Sequence, residues 1–245
     1  MWTADSFQRD VSTGTWVDES LKRFAVDHRA GLVGQVVPPE FDAYARIFHP
    51  AHRRTGTSAG QREPITWHAV AAANERAAHP LMEWEFLLPT PAARKGQPGL
   101  WDEAPSTGEL TGPTAEALIG VLANFTTTPE QCWYAIWEGN TLLEDVRENA
   151  GLLQAGNMGM FLLTDSITAA GSRFRNLLSP NLWWPDDRAW CVATDVDLMA
   201  SYVGASTECV HAITNCSELE ALEVSATMSV QWDSDTINPR PDERS

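Results

Sequence analysis

The fifteen residues from Trp183 to Asp197, WWPDDRAWCVATDVD, constrain the fold of this chain more than any other stretch. They place three tryptophans and four aspartates around a Pro-Asp-Asp turn signal, in which proline presets φ and aspartate can bond the backbone. The second half, Ala189 to Leu198, is an apolar run that predicts a central strand with carboxylates at its exit. The segment therefore predicts both a central strand and the place where a site could lie.

Similar apolar runs predict two further central strands, Gln131–Trp137 and Met158–Thr164. Helical spacing predicts helices at Trp67–Ala78, capped by Thr66, and at Pro113–Phe125. Because strands and helices do not alternate regularly, the sequence predicts an α+β fold: a mixed or mostly antiparallel central sheet, with both helices covering one face. Additional strands are expected at Gly31–Val37, Phe41–Phe48 and Glu83–Leu88.

The length of 245 residues suits one large domain or two small ones. We expect a loose N-terminal segment at residues 1–15, a single α+β domain at 16–232 and a disordered tail at 233–245. Residues 89–113 are rich in proline, glycine and threonine. They predict either a boundary between two subdomains or a long exposed loop on one domain.

The charge is distributed unevenly along the chain. Residues 1–100 contain 11 basic and 11 acidic groups, whereas residues 101–245 contain 6 basic and 22 acidic groups, so the net charge of −16 arises in the second part. A strongly acidic surface repels phosphate backbones, which argues against general nucleic-acid binding. The excess of carboxylates either keeps the protein soluble or attracts a basic protein partner.

The four cysteines form no CxxC pair and no zinc-ligand spacing. Cys132 and Cys191 lie within apolar runs and are expected to be core thiols. No apolar stretch of the sequence reaches the roughly 18 residues that a membrane helix needs. We therefore expect a reduced, cytoplasmic protein that does not bind membranes.

The turn in the tryptophan-rich segment supplies the main binding candidates. Trp183 and Trp184 are adjacent, so their side chains are expected on opposite sides of a strand. One indole would be in the core, and the other could stack on a ligand or anchor an interface, with core packing of both as the simpler alternative. Asp186, Asp187 and Arg188 follow as candidate ligand- or partner-binding residues, or as a local ion pair.

Two other pairs could take part in binding a small molecule. In an extended strand Asp195 and Asp197 would share one face about 6–7 Å apart, close enough to bind one Mg²⁺ or Mn²⁺, although a solvated strand end is the simpler explanation. Arg53 and Arg54 belong to a basic loop from His49 to Arg62 and could bind an oxyanion, or simply be solvated. The sequence has no Gly-rich phosphate loop, nucleophile elbow or HExxH motif, so no catalytic residue is assigned.

The WWPDDRAWCVATDVD run, continuing through Tyr202-Val203-Gly204, resembles a signature of a family of uncharacterised actinobacterial proteins. Three other stretches agree with that resemblance: FDAYARIFHP from Phe41, TTTPEQCW from Thr126 and LEAL from Leu219. The resemblance spans roughly residues 30–225 and implies one domain architecture and a bacterial cytoplasmic setting. It implies no activity, cofactor or catalytic residue. In general character the chain is also similar to acidic, tryptophan-containing α+β proteins of immunity and regulatory systems.

Two functional hypotheses follow. The favoured one is an acidic protein-interaction module of regulatory or immunity type, without enzymatic activity or cofactor, that binds a basic protein partner. The alternative is an enzyme or sensor that holds an anionic small molecule, such as a nucleotide or sugar nucleotide, through Mg²⁺ or Mn²⁺ at Asp195 and Asp197.

Overall fold

A computed structural model describes residues 2–56, 61–110 and 112–240. The strands are β1 Ala43–Phe48, β2 Ala51–Arg54, β3 Arg62–Ile65, β4 Cys132–Trp137, β5 Leu152–Ala155, β6 Met158–Asp165, β7 Leu182–Pro185, β8 Trp190–Ala193, β9 Ala200–Ala205 and β10 Ala221–Val224. The helices are α1 Thr15–Asp27, α2 Trp67–Ala73, α3 Gly112–Leu122, α4 Glu144–Arg147 and α5 Thr207–Thr214.

Eight of these strands form one sheet in the order β10-β1-β9-β8-β7-β4-β6-β5, and β2 and β3 form a separate hairpin. Every pairing within the large sheet is antiparallel. The α+β class with a mostly antiparallel sheet is therefore confirmed. The strands predicted from the apolar runs at 131–137 and 158–164 appear as β4 and β6.

The sheet is packed on both faces because its strands alternate apolar side chains between them. In β1, Ala43 and Ile47 belong to the core layer on one face, while Tyr44 belongs to the layer on the other. Helices α3 and α5 complete the first layer, and α1 completes the second. The strand expected over residues 41–48 is therefore present as β1 from Ala43, whereas Phe41 precedes it and packs with the layer of Tyr44.

A third hydrophobic cluster lies beyond the end of β1, where Phe48 packs against Trp67, Trp84 and Trp101. Helix α2 belongs to this cluster and not to the layer that contains α3, so the prediction that both helices cover one face was wrong. Thr66 caps α2 as expected, its side chain accepting a hydrogen bond from the Ala69 N–H.

Three predicted strands are shorter or absent. The strand expected over 189–198 ends at Ala193, because Asp195 accepts the Asp197 N–H in a turn toward β9. The segment 83–88 is a 3₁₀ turn at Trp84–Leu87, which directs Trp84 and Leu87 into the third cluster together. Residues 33–35 also form a 3₁₀ turn, whose first N–H groups bond the chain after β10 instead of a sheet strand.

The ends of the described chain are packed against the domain. At the N-terminus Trp2 and Phe7 are buried, and Phe7 bridges to Leu163 of β6, so residues 2–15 are not the loose segment that was expected. Near the C-terminus the buried Asp235 accepts hydrogen bonds from the His79 ring and the Glu83 N–H. This contradicts a disordered tail over residues 233–240, and residues 241–245 lie outside the described residues.

The proline-rich connection at 89–110 is mostly irregular but not loosely attached. Trp101 is buried in the third cluster, and Leu110 is buried in the first layer. Thr111 lies outside the described residues.

Candidate functional site

The tryptophan-rich segment forms the β7–β8 hairpin. Leu182 pairs with Ala193 and Trp183 with Val192, and the connection turns at Asp186–Arg188. The Arg188 N–H donates to the Pro185 carbonyl at 2.9 Å, and Arg188 has a φ of 55°, in the left-handed region. The tight turn predicted from Pro-Asp-Asp is present.

Both adjacent tryptophans belong to the core, on opposite faces of the sheet. Trp183 is 3% exposed and packs edge-on against Trp190, with ring centroids 5.0 Å apart. Trp184 is fully buried and packs edge-on against Trp16 of α1 at 5.9 Å. Neither indole is accessible to a ligand or partner in this structure, so their role here is to hold the two core layers together.

The two aspartates of the turn are exposed, and neutral donors fix both carboxylates. Asp186 accepts the Trp133 indole N–H at 2.9 Å. Asp187 accepts the Thr127 N–H at 2.6 Å and hydroxyls of Thr126 and Thr127 at 2.9 and 2.8 Å. Partial burial opposes ionisation of Asp187, but these hydrogen bonds outweigh it and lower the pKa of its carboxyl below the ordinary value.

The register of the sheet brings further carboxylates to the same end as this turn. Cys132 of β4 pairs with both Asp165 of β6 and Pro185 of β7, so Asp165 and the turn flank one strand. On the other side of the hairpin, Ala205 of β9 pairs with both Trp190 and Ala43. Six exposed acidic residues adjoin these strand ends, and we call them the acidic rim: Asp42, Glu130, Asp165, Asp186, Asp187 and Glu208. The nearby Glu40 is not included, because it forms an ion pair with Arg23.

The acidic rim keeps its negative charge within the described part of the chain. Among residues 2–56, 61–110 and 112–240, no Lys, Arg or His forms an ion pair with any of its six carboxylates. Arg188 is adjacent in sequence but lies over the ring of Trp16, 5.2 Å from its centroid. The predicted ion pair between Arg188 and the turn aspartates does not form.

Asp195 and Asp197 lie at the other end of β8, away from Asp186 and Asp187. They belong to a turn and not to one face of a strand, which corrects the geometry from which a shared cation was predicted. Asp195 borders a crevice of about 40 Å³, and Asp197 is exposed. No group of three or more His, Cys, Asp or Glu in the described residues could hold a metal ion. A Mg²⁺ or Mn²⁺ site here stays a prediction.

Arg53 and Arg54 lie on β2 of the small hairpin, so the prediction that they belong to a loop was wrong. Arg53 forms an ion pair with Glu63 and donates to the Gly99 carbonyl at 2.9 Å. Arg54 forms an ion pair with Glu103 at 3.2 Å. The two guanidinium groups therefore have carboxylate partners and do not form an open oxyanion site.

Sequence reasoning found Asp186 and Asp187 but not the other four residues of the acidic rim. Asp42, Glu130, Asp165 and Glu208 are far apart in the chain, and only the pairing of the strands brings them to one end. A local signal existed for two of them, since Glu130 and Asp165 adjoin the predicted strands Gln131–Trp137 and Met158–Thr164.

The stretches on which the actinobacterial resemblance rests contact each other in pairs. The Pro-Asp-Asp turn bonds to TTTPEQCW, and LEAL pairs with FDAYARIFHP as β10 with β1. Among the described residues no helix has the length and apolar character needed to span a membrane. Comparisons with known protein families, with curated protein sequences and with solved structures each give no match, so membership of that family stays a prediction.

Proposed function

We propose that this protein is a cytoplasmic, non-enzymatic interaction module of regulatory or immunity type, which binds a basic protein partner through the acidic rim. One observation supports the proposal above others: six exposed carboxylates lie at one end of adjacent strands without a cationic partner in the described residues. A partner would supply the missing cations.

The hydrogen bonds that orient the rim carboxylates also favour binding of a basic partner. Trp2 and Trp133 donate their indole N–H groups to Asp165 and Asp186, each at 2.9 Å, and these donors orient the carboxylates without neutralising them. A carboxylate has about four acceptor sites, so Lys or Arg of a partner can still bind. Pre-oriented charges lower the ordering cost of binding and increase the association rate.

The test uses a defined basic peptide and its glutamine-substituted counterpart, titrated into the labelled protein at low salt and followed by two-dimensional amide NMR. We expect the basic peptide to shift amides near residues 130, 165 and 186–188, and the neutral peptide to shift none. Raising the ionic strength should weaken binding, because exposed charges are screened within about 8–10 Å.

Two triple variants distinguish binding at the acidic rim from attraction by the net charge of the protein. Glu130→Gln, Asp165→Asn and Asp186→Asn together should weaken the basic peptide at least tenfold. The control combines Asp27→Asn, Glu75→Gln and Glu223→Gln, three exposed residues outside the rim, and changes the net charge equally. Equal losses in the two triple variants would show non-specific attraction and refute the proposal.

A further inference from the structure

A large cavity opens at the end of the sheet opposite the acidic rim. Its volume is about 540 Å³, within the range of roughly 300–1,000 Å³ typical of small-molecule sites. The strand register separates the two features, because Phe48 at the cavity pairs with Ala200, whereas the rim lies beyond Ala43 and Ala205. The cavity is therefore a second site that does not share residues with the rim.

The walls combine apolar surface with a few polar groups. The apolar lining residues are Phe48, Pro50, Pro64, Leu110, Pro113 and Leu219. Polar groups come from the start of α2, from the chain before α3, from the segment between α5 and β10, and from His49, His52 and Arg62 on and beside the β2–β3 hairpin. A carbon framework would pack on the first set, and the second would fix its orientation.

Hydrogen bonds between distant segments hold the walls in place. The Trp67 indole N–H donates to the His49 carbonyl at 2.8 Å. The buried His49 ring in turn bonds the Ser106 carbonyl at 2.7 Å and the Ser201 hydroxyl at 2.9 Å. Because these contacts lie within the chain itself, they fix the walls and lower the ordering cost of binding.

The charges that line the cavity fall into two groups. Glu109 forms an ion pair with Arg173 at 2.7 Å. Arg62 forms one with Glu103 at 2.7 Å, a carboxylate that it shares with Arg54. The remaining charged lining residues are Glu218 and Glu220.

Neither of these two carboxylates has a Lys or Arg partner within the described ranges. Glu220 accepts the N–H groups of Trp67 and His68, each at 2.6 Å, and keeps further acceptor sites. Burial raises the pKa of the Glu220 carboxyl in spite of these donors, as expected of a carboxylate with too little solvation.

We propose that this cavity binds a small organic cation, a primary ammonium on an apolar body. The ammonium lies against Glu218 and Glu220, and the apolar body packs on Phe48 and Leu219. The same carboxylates exclude anions. This site goes beyond the interaction with a basic protein and does not depend on it.

Three probes of similar shape test the charge preference: phenethylamine, phenethyl alcohol and phenylacetate. Each is titrated into the whole protein without a partner and followed by amide NMR. We expect the amine to shift the amides of Ser106, Thr114 and Ser217, and to bind at least tenfold more tightly than the alcohol. Phenylacetate should bind more weakly than either.

Variants then assign the charge effect to one residue. Glu218 is exposed, so Glu218→Gln should keep the fold while weakening the amine about tenfold and leaving the alcohol unchanged. Glu116→Gln, an equal charge change at an exposed position of α3 outside the lining, is the control and should alter neither. Ser217→Trp, which adds a large indole at a lining position, should abolish binding of all three probes.

Four results would overturn the proposal. These are equal affinity for amine and alcohol, amide shifts confined to the acidic rim, equal loss in Glu218→Gln and Glu116→Gln, or undiminished amine binding in Ser217→Trp. Shifts confined to the acidic rim would place cation binding at the rim alone. The other three results leave the basic partner unaffected, because its peptide titration reports on the opposite end of the sheet.

Discussion

Replacing Arg46 by methionine should destabilise the fold by about 3–5 kcal/mol, the usual cost of removing one partner of a buried ion pair. Arg46 is 3% exposed and lies on β1. Its guanidinium donates to the carbonyls of Pro80 and Met82, both at 3.0 Å, and to Glu83 at 2.9 Å. It also lies 4.8 Å from the centroid of the Phe48 ring. Methionine can fill much of the space but leaves the two carbonyls without the guanidinium, and leaves the Glu83 carboxylate with only the Ser234 hydroxyl as a side-chain donor.

The carboxylate left behind gives the variant a distinctive pH dependence. Burial already raises the pKa of Glu83, and Arg46 opposes that increase. Without Arg46 the pKa of Glu83 should rise further, so the folded state would favour the protonated carboxyl more strongly than the unfolded chain does. A carboxyl with a raised folded pKa contributes most stability at low pH and loses it as pH rises. The deficit of Arg46→Met should therefore be larger at pH 7 than at pH 5.

Urea unfolding followed by tryptophan fluorescence measures both effects. Adding Glu83→Gln to Arg46→Met should recover part of the loss at pH 7, because the unpaired charge is then removed. Arg23→Met is the control, since Arg23 pairs with Glu40 at the surface with 70% of its side chain exposed, and should cost less than about 1 kcal/mol. A loss at Arg46 no larger than at Arg23, or one independent of pH, would refute the reasoning.

Two further predictions concern buried groups. Burial lowers the pKa of His49 to about 4, so the unfolded chain takes up a proton below about pH 6.5 while the folded state does not. The uptake of this proton should lower the free energy of unfolding by roughly 3 kcal/mol between pH 6.5 and 4. In urea unfolding of His49→Gln this decrease should be absent. A free energy of unfolding that falls with pH as steeply in the variant as in the original protein would contradict the prediction. Trp184→Phe should cost about 1 kcal/mol less than Trp190→Phe, because the Trp190 indole donates to the Leu122 carbonyl at 3.2 Å, whereas the buried Trp184 N–H has no partner among the described residues. Equal losses in thermal unfolding of the two variants would count against this.

The features that the sequence predicted well are those set by neighbouring residues. The turn after Trp184 follows from Pro185 and the two aspartates, and the alternation along β1 follows from side chains two residues apart. The end of β8 was placed too late because an aspartate turn competes with strand pairing, and period-two alternation does not reveal it.

The functional sites depend on pairings that no local pattern encodes. The acidic rim requires Cys132 to pair with both Asp165 and Pro185. Composition indicated a surplus of carboxylates in the second part of the chain, but it could not indicate that they gather at one end of the sheet. The ion-pair partners of Arg53 and Arg54 are likewise supplied by segments distant in sequence or across a hairpin.

The position of β1 has a consequence for how the protein folds during synthesis. Tyr44, near the start of the chain, pairs with Gly204 on one side and Val224 on the other. During synthesis β1 therefore stays unpaired until β9 and β10 have been made, and such non-local pairing is intrinsically slow. Until then its row of unpaired backbone groups is a template for wrong partners. We therefore expect this protein to be more vulnerable to aggregation as a nascent chain on the ribosome than to unfolding once it has folded.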